Sequence, residues 1–173
     1  MKLDFIGISI IVTIMLGLII GAVRLNFFHQ TEIERLSENL QMYMNNFQIS
    51  HIGYSSMESL LIYGRILLLM WLLSILPWGF LGSYILLFQR AMAVGFSTAL
   101  FVSAFGGMGF AMAAALYFFQ NLILFPVYGY VLSQSIRNKG RKMSKPLFIG
   151  FFALLIAVAF EIFLVSHIIN LFL

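Results

Sequence analysis

Cysteine is missing from this 173-residue chain, so neither a disulfide framework nor a thiolate metal site can be built, and the redox state of its surroundings leaves no trace. Charge is scarce as well. Charged residues make up 9% of the chain, against about 25% in an average soluble domain, and a water-soluble surface cannot be made from so few. No HExxH helix, nucleophile elbow or phosphate loop occurs, and the lone aspartate, Asp4, stands beside the amino terminus. The chain therefore reads as non-enzymatic, with no cofactor. His29 and His51 stand 22 residues apart, with no cysteine and no acids at ligand spacing beside them, so no metal is expected.

What the chain has in abundance is apolar sequence, 62% of its residues. This predicts an all-α, polytopic membrane protein forming a single transmembrane domain, since 173 residues hold about five spans of ~20–25 residues with short loops. The expected spans are 5–23, 66–88, 91–105, 109–132 and 147–173. The first reads as an uncleaved anchor because it lacks a clean small-x-small cleavage site. Gln89 and Arg90 are taken as the break between the second and third spans, and Gly106, Gly107 and Gly109 as the turn after the third.

Between the last two spans runs a basic loop, Arg137, Lys139, Arg141, Lys142 and Lys145, with no acid in it. Lys and Arg collect in cytoplasmic loops. Counting outward, the amino terminus is cytoplasmic, the loop bearing Glu32, Glu34, Glu38 and Glu58 is extracytoplasmic, and so is the carboxyl terminus. Membrane lipid headgroups account for the basic loop at about 1 kcal/mol per residue, and no nucleic acid partner is expected.

In the outer segment, Thr31-Glu32-Ile33-Glu34 has the form of a capping box and predicts a helix start. Ile33, Leu36, Leu40, Tyr43, Met44 and Phe47 then recur at steps of three and four, an apolar stripe along one face of a short amphipathic helix. That stripe lies in the membrane interface, docks on the bundle, or offers Leu36, Leu40, Tyr43 and Phe47 to a partner.

Two further patterns concern the bundle interior. Ala91, Gly95, Ala99, Ser103 and Gly107 form a ridge of small residues, and Gly17 with Gly21 a shorter one, either of which allows close helix contact within the chain or association of copies. Glu161 stands inside the last apolar stretch with no Lys or Arg there to neutralise it, which places it toward protein rather than lipid. Helical rise puts Pro77, Gln120 and Glu161 at similar depth, ~17–18 Å from the outer side. One polar cluster of Pro77, Gln120, Asn121 and Glu161 is therefore expected at mid-depth, serving as helix glue or as a proton or solute site.

The stretch Ile85 to Phe96, the Gly106-Gly107-Met108-Gly109-Phe110 turn and Gln120-Asn121-Leu122-Ile123-Leu124-Phe125-Pro126 resemble the stage II sporulation protein M family. That family's Pro-Gln-Asn signature stands here as Phe119-Gln120-Asn121. The resemblance implies a five-span protein of the bacterial cell membrane. It further implies a scaffold that recruits peptidoglycan hydrolases, the stage II sporulation proteins D and P, for septal wall remodelling during engulfment. The alternative reading is a small permease-like transport component using Glu161 as an intramembrane carboxylate.

Overall fold

A computed structural model describes residues 5–45, 52–138 and 144–172. Among them are seven α-helices: α1 (Phe5–Arg24), α2 (Gln30–Asn45), α3 (Ile52–Ser74), α4 (Gly79–Phe105), α5 (Gly107–Ala113), α6 (Phe119–Asn138) and α7 (Ser144–Phe172). A 3-10 turn, Leu25–Phe27, extends α1, and a π-helical turn, Ala114–Phe118, joins α5 to α6.

The helices bury stripes at the spacing of one helical face. Tyr63, Leu67 and Met70 of α3 meet Leu87 of α4, Leu124, Tyr128 and Val131 of α6, and Leu154, Ala157 and Val158 of α7 in one core. Outward faces stay apolar: Ile11, Met15 and Ile19 of α1, Leu81 and Ile85 of α4, and Phe151 and Phe152 of α7 are all exposed. Two described helical stretches, Phe5–Phe27 and Gly79–Phe105, are long and apolar enough to cross a membrane, and Lys145–Ala159 is a shorter apolar helix. These long apolar helices point to membrane association.

The chain does not break at Gln89 and Arg90. α4 runs without interruption through both residues, and the turn lies at 75–78, between α3 and α4. Proline explains the difference: it disfavours helical geometry in the residue before it, and Gly79 follows two residues later. The amides of Leu76 and Gly79 donate to the carbonyls of Leu73 and Leu76 at 2.9 and 3.0 Å, so the turn satisfies its own backbone. The expected spans 66–88 and 91–105 are thus replaced by α3 and α4.

Contacts fix the helix directions. Ser9 and Tyr84 share a hydrogen bond between their hydroxyls, Gly17 lies against Phe88 and Ala91, and the Phe28 and Phe96 rings stand 5.7 Å apart. Sequence number rises together along both helices, so α1 and α4 run parallel. α3 runs against them, and α6 meets Tyr63 at Gln120 in mid-bundle but Ile10, near the start of α1, at Gly129, which sets α6 against α1. The start of α1, the 75–78 turn, Arg137 and Lys145 therefore share one end of the bundle, with α2 and Gly106 at the other.

The α1–α4 contact depends on glycine. A Cβ on Gly17 would stand 2.7 Å from the Ala91 Cβ, and one on Gly21 or Gly95 would strike the backbone of Met92 or Leu18. Of the small-residue ridge, Ala91 and Gly95 meet α1 and Ala99 is half-buried, whereas Ser103 is exposed and Gly107 lies outside α4 with open space around it. α4 closes at Gly106, whose φ of 62° side-chain-bearing residues seldom adopt.

Candidate functional site: a polar layer inside the bundle

Tyr63 and Arg90 each stand eleven residues from the helix ends that flank the 75–78 turn, Ser74 of α3 and Gly79 of α4. Because the two helices are antiparallel, both rise about 16 Å from that end and meet. The Arg90 guanidinium carbon lies 4.5 Å from the Tyr63 ring centroid, within the range of cation–π attraction. The Tyr63 hydroxyl donates to Gln120 Oε1 at 3.0 Å, and the Tyr128 hydroxyl donates to the Tyr63 carbonyl at 3.3 Å. α3, α4 and α6 are thus tied together by one polar layer inside an apolar core.

Beside it on α6, Asn121 Nδ2 donates to the Tyr117 carbonyl at 2.7 Å, a carbonyl in the π-helical turn. Asn121 Oδ1 and Arg90 Nε are buried without hydrogen-bond partners. Such atoms normally find a partner when removed from water, which makes these two the points of highest polar tension in the described core.

The expected mid-depth cluster is rearranged by this geometry. Gln120 and Asn121 belong to the interior, 3% and 4% exposed. Pro77 does not, because it sits in the turn at the end of α3 and α4 rather than within a helix, and the Leu73 carbonyl is satisfied by Leu76. Glu161 falls within α7, one helical step beyond Ala157 and Val158; its side chain lies outside the described residues. Arg90, Tyr63 and Tyr128 are the members that sequence reasoning missed. The signal for Arg90 was Pro77-Trp78-Gly79: once the break is placed there, Arg90 falls in mid-helix.

The outer helix also differs from expectation. The His29 carbonyl accepts from the amides of Glu32 and Ile33 at 2.9 and 3.1 Å, so helix entry is at His29, and Thr31 lies inside the first turn rather than capping it. Leu40 packs against Phe101, Met112 and Ala113, and Gln41 Nε2 donates to the Ala104 carbonyl at 3.1 Å. The stripe is therefore docked on the bundle at Leu40, with Leu36 half-buried, and is not an open partner surface there. The side chain of Tyr43, and Phe47 as a whole, lie outside the described residues, as do Lys139, Arg141 and Lys142 of the basic loop. Arg137 and Lys145 are exposed at its two ends. Among the described residues no group of three metal-ligating side chains occurs.

Compared with family models, with curated proteins and with solved structures, the chain finds no match.

Proposed function

We propose that the protein is a non-enzymatic membrane scaffold with five spanning rods: α1, α3, α4, the α5–α6 pair and α7. The observation that carries this reading is the inversion of polarity across the bundle. Large apolar side chains face outward on α1, α4 and α7, while tyrosine, glutamine and arginine meet inside. In lipid, interior hydrogen bonds supply helix cohesion that apolar contact alone does not. The parallel course of α1 and α4 agrees with five crossings, the cytoplasmic side being the end that carries Arg137 and Lys145.

The task of the scaffold follows from the family resemblance alone: recruitment of peptidoglycan hydrolases at the septal membrane, resting on the residues quoted for it. With Leu40 covered by the bundle, the face of α2 left for a hydrolase is the polar one, with Glu34, Arg35, Glu38 and Asn39 exposed. A photo-reactive amino acid placed at Glu38 should crosslink to a wall hydrolase in sporulating cells. One at Trp78, exposed at the opposite end, should not. Absence of a hydrolase adduct from Glu38, with the protein at normal abundance, would end the scaffold reading.

The permease-like alternative is favoured by one observation, the unpartnered Arg90 Nε and Asn121 Oδ1 in the interior. Glu161→Gln separates the two. A scaffold tolerates it, whereas loss of function at unchanged abundance and folding puts proton chemistry first.

A further inference from the structure

Along the outside of the polar layer, α1, α4, the π-helical turn and α6 enclose an open groove of about 720 Å³. Its walls are apolar: Ile11, Ile14, Val94, Phe110, Leu122 and Phe125 among others. A groove of that volume is the size of a small-molecule site. Its lining includes exposed residues of both α1 and α6, Ile11, Met15, Leu122 and Tyr130, so it is reached from the outer apolar face of the bundle.

The groove is not uniform along its length. Toward the end of the bundle that carries the basic residues, it is lined by Tyr130 and Ser133, one turn apart on α6. Arg137, exposed, follows one turn beyond Ser133 on the same face of that helix. Two hydroxyl donors and a guanidinium thus stand in line past the end of an apolar channel. That order, chain-sized apolar space followed by donors and positive charge, is complementary to an acyl chain followed by a phosphate.

We propose that this groove seats one anionic phospholipid from the leaflet at the basic end of the bundle. One acyl chain lies between α1 and α6, and the phosphate is held by Tyr130, Ser133 and Arg137. The proposal rests on the membrane-embedded reading given above.

The test uses full-length protein purified in detergent, with native mass spectrometry after addition of phosphatidylglycerol or phosphatidylcholine carrying the same acyl chains. Phosphatidylglycerol should be retained preferentially. Arg137→Gln should weaken that retention about fivefold, the effect of one basic residue beside anionic lipid. Lys145→Gln, which removes the same charge from the same end but on α7, should change it far less. Ile11→Trp, at a half-exposed wall position of α1, should reduce retention of long-chain lipid while leaving the melting temperature unchanged.

Equal retention of the two lipids would overturn the proposal. So would equal losses in the two charge variants, which would mean general surface attraction, or retention of dihexanoyl phosphatidylglycerol as strong as that of the long-chain lipid, which would mean a phosphate site without a chain groove. If alkaline carbonate releases the protein from membranes without detergent, the membrane reading itself falls. Lost lipid selectivity in a protein that still needs detergent removes this site alone.

Discussion

The guanidinium of Arg90 lies 4.5 Å over the ring of Tyr63, and the hydroxyl of the same tyrosine donates to Gln120. One side chain therefore serves two helices, α4 by its face and α6 by its edge. Tyr63→Phe keeps the ring and removes only the hydroxyl bond, and should cost ~0.6–2 kcal/mol. Tyr63→Leu also removes the cation–π contact and should cost ~0.5–2 kcal/mol more. Thermal unfolding in detergent should rank them wild type, Phe, Leu; equal melting of the two variants would show that Arg90 gains nothing from the ring.

Glycine at the α1–α4 contact gives a second expectation. Gly21→Ala drives a methyl group into the Met92 backbone and should cost ~1–3 kcal/mol, as overpacking does. Gly64→Ala, with nothing within 4 Å of its added Cβ, should gain ~0.5–1 kcal/mol from helix propensity. Opposite shifts in melting temperature are expected from the same chemical change.

Gly106 holds a φ of 62° and a ψ of −138° at the junction of α4 and α5. Space around it is open, so Gly106→Ala is opposed by backbone strain alone, at ~1–3 kcal/mol. Gly107→Ala, equally open but already helical, should be neutral or stabilising, and chemical denaturation of the pair isolates the dihedral effect.

Leu40 anchors α2 to Phe101, Met112 and Ala113. Leu40→Ser should weaken that docking by about 1 kcal/mol, less than the ~1.5–3 kcal/mol of a fully buried side chain because Leu40 is half-buried. Limited proteolysis should then cut within α2 sooner while the rest of the chain keeps its resistance.

Orientation is testable because the chain holds no cysteine. In intact cells an impermeant thiol reagent should label Glu38→Cys on α2 and spare Trp78→Cys in the 75–78 turn until the membrane is opened. Labelling of the second alone would invert the topology.

Composition and hydropathy were enough to specify an all-α chain, because scarce charge and long apolar runs leave few other ways to satisfy a backbone in lipid. The end of α1 was also legible, in Arg24, and the break after α4 in Gly106, whereas Gly107 and Gly109, read as part of that turn, lie within α5. Gln120 and Asn121 could be recognised as interior because amides in apolar runs need partners. The α3–α4 boundary was not, since two break signals competed: the polar pair Gln89-Arg90 and the local pair Pro77-Gly79. A polar side chain can be buried against another helix and leave its own helix intact, whereas a proline acts on the backbone where it stands. Only the tertiary structure decided that contest, by bringing Tyr63 to Arg90. It likewise decided that the α2 stripe is covered at Leu40 and that the glycines of α1 are spent on α4, because both depend on which surfaces meet across long stretches of chain, and periodicity along one helix records that a face is apolar without recording what lies against it.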